Sequence, residues 1–205
     1  MWIVKLGGSL ERDALLPRWL ELLAELGGGR GVIVPGGGGF ADQARAAQAW
    51  WQLDDLPAHN MAVLGMAQSA AMMQGLCPAL QSASGDEQIR NVLRRGRTAL
   101  WLPLELLRDQ RDELTHWGVT SDSLALWLAA RLRAERLLVV KSCAIEPELS
   151  LQELGQAGVV DAEFAARAAR TGVPVEMLHR TELGRARVLL LDAAPSGTTT
   201  SGMTR

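Results

Sequence analysis

Tyrosine is missing from this chain of 205 residues, and phenylalanine and cysteine occur twice each. Seven tryptophans carry nearly all the aromatic content, so a row of exposed rings for stacking single-stranded nucleic acid is not expected. The formal net charge is -2 and no basic block stands out, which excludes the electrostatic footprint of a nucleic-acid partner. Cys77 and Cys143 belong to no paired motif, which excludes a zinc ribbon or a disulfide framework; reduced thiols in a cytoplasmic protein are expected. The longest apolar runs are too short to cross a bilayer, and no charged segment followed by a long apolar stretch opens the chain. Neither a membrane partner nor secretion is expected.

Lysine is the most telling scarcity. Of 21 basic side chains only Lys5 and Lys141 are lysines. Codon bias toward arginine accounts for the number but not for the positions. Each lysine closes a short apolar run, Trp2-Ile3-Val4-Lys5 and Leu137-Leu138-Val139-Val140-Lys141.

The chain is 48% apolar, enough for a core of its own, and 205 residues suit one domain. Residues 2–6 read as a buried strand entering the turn Gly7-Gly8-Ser9. Asp13 caps a helix whose apolar face is Leu15, Trp19, Leu22, Leu23 and Leu26, ended by Gly27-Gly28-Gly29. Residues 31–34 form a second strand, followed by the turn Pro35 to Gly39. Helical patterns follow from Phe40 to about Trp51 and from Pro57 to about Leu76. Asp86 caps a helix through Leu93, and Thr98 to Leu102 is a strand. Pro103 to Arg108 is a helical turn, Ser121 or Asp122 starts a helix, and Leu137 to Lys141 is a strand. Asp161 caps a helix through Arg170; Val175 to Leu178 and Arg187 to Leu191 are the last strands. The Ser/Thr/Gly-rich tail from about Pro195 is expected to be loose. Short apolar strands alternating with helices predict an α/β fold, a three-layer αβα sandwich with a mostly parallel central sheet.

In such sheets ligands gather at the carboxyl ends of the strands. Both glycine turns, both lysines and the Thr120-Ser121-Asp122 turn fall there. The Lys5 to Ser9 turn reads either as a surface turn after an edge strand or as a phosphate cradle, since glycines let backbone N–H groups approach an anion and a lysine beside them is a compact mobile charge for phosphate oxygens. Four consecutive glycines, Gly36, Gly37, Gly38 and Gly39, are costly in entropy and point to a close ligand. Neither turn matches the P-loop, and the dinucleotide fingerprint through Gly36, Gly38 and Ala41 lacks its second strand and acidic residue. Thr120-Ser121-Asp122 reads either as a helix cap or as a carboxylate at the sheet mouth that orients the lysines or contacts Mg²⁺. Lys141 with Ser142 reads either as snorkelling or as an ammonium aimed at an anion. His59, in the first turn of its helix, is expected to be neutral. His116 and His179 have no motif context. The Arg90, Arg94, Arg95, Arg97 stretch reads as a solvated face or as a site for an anionic acceptor.

Taken in order, these segments resemble the amino acid kinase family. Its members carry Lys-x-Gly-Gly-Ser after the first strand, then a Gly-rich turn, an Asp-x-Leu-Ala helix start and a strand entering the nucleotide site. Here these are Lys5 to Ser9, Pro35 to Gly39, Asp122 to Ala125 and Leu137 to Lys141. The segment His59-Asn60-Met61-Ala62-Val63-Leu64-Gly65-Met66 is similar to that of a methanofuran-pathway branch. Those kinases use ATP to convert an aminomethylfuran methyl phosphate into its diphosphate. The resemblance implies ATP with Mg²⁺, a small phosphorylated acceptor and a homo-oligomer, with Trp50 and Trp51 as interface candidates. It also implies roles. Lys5 bridges donor and acceptor phosphates; Gly7, Gly8 and Ser9 cradle the donor; Lys141 and Ser142 stabilise the leaving diphosphate. Gly36 to Gly39, His59 and Thr120 meet the acceptor, and Asp122 orients the lysines or contacts Mg²⁺. Two departures stand out: no lysine follows Lys141, and Ser142-Cys143-Ala144-Ile145-Glu146 replaces the usual Asp-Gly pair. They keep open a carboxylate or other phosphomonoester as acceptor, and a non-catalytic anion-binding role.

Overall fold

The computed structural model describes residues 1–192; the Ser/Thr/Gly-rich segment from Pro195 lies outside them. Six strands form one sheet, β1 (Trp2–Leu6), β2 (Gly31–Pro35), β3 (Gln81–Ala83), β4 (Ala99–Trp101), β5 (Arg136–Lys141) and β6 (Val175–His179). Their order is β3-β4-β2-β1-β5-β6, and every pairing is parallel. A parallel sheet buried on both faces needs apolar side chains on both, which is why β1 and β2 read as continuous apolar runs. The period of two divides β1 between two cores. Trp2, Val4 and Leu6 pack with Trp19, Leu138 and Val140, whereas Ile3 packs with Leu137, Val139 and Leu128.

On the Trp2 face lie α1 (Leu16–Leu26) and α9 (Leu183–Asp192). On the Ile3 face lie α4 (Asp86–Arg94), α6 (Ser121–Leu132) and α8 (Phe164–Thr171). A hairpin of α2 (Gly38–Trp51) and α3 (Asp55–Leu76) closes one end, α5 (Leu104–Leu107) lies against α3, and α7 (Leu151–Gln156) precedes α8. Because β2 and β5 flank β1 on opposite sides, the strand order reverses there, and the crevice at their carboxyl ends is the expected ligand position.

Several expectations are corrected. Residues 187–191 are helical, not extended. Ala186 and Leu190, four apart, form the buried stripe of α9, while Val188 and Leu191 face outward. A run of Val and Leu alone does not distinguish the two states. Asp161 does not cap α8, which begins at Phe164 without a side-chain cap. The 3₁₀ turn Gly8–Arg12, the short edge strand β3 and helix α7 are additions to the predicted elements. The second glycine turn is shorter than expected, because Gly38 and Gly39 already belong to α2.

Candidate active site

Register brings the two lysines together. Lys5 of β1 stands opposite Val139 of β5, so Lys141, two residues further along, points to the same face of the sheet. That face is covered by α6, whose first turn carries Asp122. The ammonium of Lys5 lies 2.6 Å from Asp122 Oδ1, and that of Lys141 donates to Oδ2 at 2.6 Å. One carboxylate thus holds both lysines of the chain. Lys5 and Asp122 are each only 3% exposed. Burial, the largest influence, lowers the Lys5 ammonium below its ordinary value; Asp122 opposes this and the like charge of Lys141 adds to it. Burial alone would raise the Asp122 carboxyl, but Lys5 and Lys141 together hold it below the ordinary carboxylate range. With both oxygens engaged, Asp122 orients lysines, and a Mg²⁺ contact there would compete with them. Among the described residues no group of three or more His, Cys, Asp and Glu is placed to hold a metal ion.

Asp122 is free for this task because other groups cap α6. Thr120 is the N-cap, its hydroxyl accepting from the Asp122 N–H at 3.4 Å. Asp161 does more: its carboxylate accepts from Thr120 N and Oγ1, both at 2.9 Å, and from Ser123 N and Oγ at 3.0 and 2.5 Å. It fixes the turn that aims Asp122.

The glycine turns after β1 and β2 lie against each other. A Cβ on Gly36 would sit 2.2 Å from Gly8 N, and one on Gly8 would sit 2.3 Å from Gly38 N. Close packing of backbone on backbone therefore accounts for Gly8 and Gly36 before any ligand is considered. The predicted cradle divides accordingly. The N–H groups of Gly7, Gly36 and Gly39 are taken by Val140 O, Leu6 O and Glu11 Oε2, so these three do not offer donors. The N–H groups of Gly8, Ser9, Gly37 and Gly38 have no partner among the described residues. Ser9 and Ser142 Oγ meet at 2.6 Å, linking the loops after β1 and β5.

A cavity of about 250 Å³ opens beside this cradle. Gly8, Ser9, Gly37, Gly38 and Thr120 form its inner end, and Ala62, Val63, Met66 and Leu124 its apolar wall. His59 lines it from the second turn of α3, not the first as expected, since α3 starts at Asp55. Burial lowers the His59 pKa, and Nε2 lies 3.1 Å from Leu107 O. A second cavity of about 570 Å³ lies beyond Ser142 and includes Ala144, Glu146, Met177 and His179. His179, the register partner of Lys141, places Nε2 3.2 Å from Ser142 O. Sequence reasoning missed Asp161 and His179 as site neighbours. The arginines of α4 lie outside both cavities.

Residues 1–144 match the amino acid kinase family, and the chain belongs to it. A [5-(aminomethyl)furan-3-yl]methyl phosphate kinase from Methanocaldococcus jannaschii is 28% identical over 142 residues, 68% of this chain. The match spans 64% of that relative's length. The fold is that of uridylate kinase from Archaeoglobus fulgidus (TM-score 0.67, 13% identity, 91% of this chain and 95% of that one). An isopentenyl phosphate kinase structure is also similar (TM-score 0.61, 16% identity, 94% and 96% of the two chains).

Proposed function

We propose that this protein is an ATP-dependent kinase, acting as one domain over residues 1–205. It adds a phosphoryl group to the phosphate of a small phosphomonoester, an aminomethylfuran methyl phosphate, forming a diphosphate for methanofuran-type cofactor biosynthesis. The observation that carries this reading is the carboxylate of Asp122 holding Lys5 and Lys141 at the ends of two neighbouring strands, with four backbone N–H groups of the glycine turns left unpartnered among the described residues. The M. jannaschii relative's name narrows the acceptor. A cytoplasmic homo-oligomer, with Trp50 and Trp51 at its interface, completes the proposal; both are exposed at the end of α2, and among the described residues no helix is long and apolar enough to cross a membrane.

Phosphoryl transfer asks a protein for in-line placement and for neutralisation of spreading charge. A phosphate acceptor needs no general base, since its second ionisation lies at about pH 6. The obstacle is repulsion between anions, and positive charge with fixed dipoles removes it. Lys5 bridges donor and acceptor phosphates. The N–H groups of Gly8 and Ser9 and the Ser142 hydroxyl hold the donor side, with Lys141 facing the leaving group. The N–H groups of Gly37 and Gly38, with Thr120 and His59, hold the acceptor. ATP, when bound, would supply the transferred phosphoryl group, and Mg²⁺ would add positive charge against the repulsion between the phosphates. Asp122 keeps both ammonium groups aimed.

An ADP-release assay with ATP and Mg²⁺ tests this. Acceptor-dependent turnover is expected with the aminomethylfuran phosphate and not with free amino acids. Turnover confined to a carboxylate acceptor would move the protein to another branch of the family. ATP binding without acceptor-dependent release would make it a non-catalytic binder.

A further inference from the structure

The acceptor cavity has two unlike ends. Its inner end offers N–H donors to an anion. Its outer end is approached by α3 with a stripe of Asp55, His59, Ala62, Val63 and Met66, spaced as one helix face. Asp55 Oδ1 accepts from Gln48 Nε2 at 3.0 Å, and the Gln48 carbonyl in turn accepts from the Trp117 indole. This contact orients the Asp55 carboxylate without neutralising it. Arg45, a cation, and His116 share the rim. The Arg45 guanidinium lies 4.5 Å over the Trp117 ring, and Asp42, one turn before it on α2, lines the same cavity. Asp42 also borders the groove of Gly8, Ser9 and Gly38, so it belongs to the inner end. Asp55 is thus the carboxylate left for a ligand at the outer end.

His59 adds a second acceptor there. Its Nε2 faces the Leu107 carbonyl, which only a protonated nitrogen satisfies, so in the neutral ring Nδ1 keeps its lone pair. A neutral His59 of this tautomer has no hydrogen at Nδ1 for an anion and accepts one from a cation.

We propose that the outer end is a subsite for a cationic amine on the acceptor, with Asp55 supplying the charge and His59 Nδ1 a second hydrogen-bond acceptor. This rests on the phosphoryl-transfer reading and deepens it: the acceptor is a zwitterion, phosphate inward and ammonium outward. The spacing suits such a molecule. Ten residues of α2 separate Gly38 from Gln48, an axial rise of about 15 Å. The apolar wall of Ala62, Val63 and Leu124 suits a small flat ring between the two charges.

The test compares wild type and Asp55→Asn on two acceptors, the aminomethylfuran methyl phosphate and its analogue with a methyl group in place of the aminomethyl. In the wild type the amine is expected to raise kcat/KM by about 10- to 100-fold. Asp55→Asn is expected to remove most of that advantage through KM, while changing kcat/KM for the methyl analogue by less than about twofold. Equal effects of the substitution on both acceptors, or none on the amine, would overturn the subsite alone. No turnover of either acceptor by the wild type would overturn the phosphoryl-transfer reading and the subsite with it. Asn keeps the acceptor for Gln48, and circular dichroism and melting of the variant confirm its fold before the kinetics are compared.

Discussion

The centre where β1, β5 and α6 meet and the outer end of the acceptor cavity are both charged, but they use charge in opposite ways. At the centre, Lys5 and Asp122 are 3% exposed, and neither charge is tolerable in the interior without an opposite charge beside it; Lys5 has only Asp122, whereas Asp122 has Lys141 as well. At the outer end, Asp55, Arg45 and His116 are all exposed, each solvated on its own account. Burial makes the first set interdependent and ties its chemistry to the stability of the fold. Exposure leaves the second set separable, so its residues are free to select a ligand without holding the protein together.

The largest expected effect follows from breaking the first set. Asp122→Asn leaves two ammonium groups unpaired, one of them buried, at an expected cost of about 3–5 kcal/mol in urea unfolding. The pH dependence carries the same signature. In the wild type the depressed Asp122 carboxyl contributes stability that is present above the unfolded carboxylate value and lost as pH falls through its folded value. The variant lacks that acid limb. With burial of Lys5 then unopposed by Asp122, its stability rises with pH toward the lysine range, because the unfolded chain binds the proton that the folded one releases. A variant as stable as wild type with an unchanged acid limb would show that the three charges are not interdependent.

A smaller effect is expected from Asp161, which reaches the centre through α6 and, more weakly, through its own charge, which favours the Lys5 ammonium. Asp161→Ala removes the acceptor for Thr120 and Ser123 and should cost about 1–2 kcal/mol, as loss of a helix cap does. Its positioning role should appear as a drop in kcat of about tenfold with acceptor KM nearly unchanged. A loss of stability with kcat intact would make it a cap and nothing more. The smallest and most selective change is that of Asp55→Asn, which should leave stability alone and act on one acceptor.

The same contrast explains what was legible in the sequence. Lys5, Asp122 and Lys141 were readable because each sits at a boundary that local chemistry announces: a glycine turn, a helix start, the end of an apolar run. Their convergence also follows from strand period once β1 and β5 are neighbours. Asp161 was assigned to the helix that follows it in sequence, whereas it caps α6, whose start lies about forty residues earlier. Proximity in the chain is a poor guide when a loop returns from across the sheet. The glycine run by itself points wholly to a ligand, yet Gly36 serves the approach of Gly8, and of the four only Gly37 and Gly38 keep N–H groups without a partner among the described residues. Helix α9 was misread because four apolar residues in a row have no period; only the packed face of Ala186 and Leu190 shows one. Asp55, Gln48 and Trp117 carried no motif at all, since the cavity's outer end arises from the packing of α2, α3 and the loop before α6.

Phosphorus NMR of wild type and Lys5→Met, each incubated with ATP, Mg²⁺ and the aminomethylfuran phosphate, tests the central claim most directly. Wild type is expected to yield the paired resonances of a new diphosphate together with ADP, while the folded Lys5→Met protein yields at least about 10²- to 10³-fold less. Formation of the diphosphate by Lys5→Met at near wild-type rate would contradict the account.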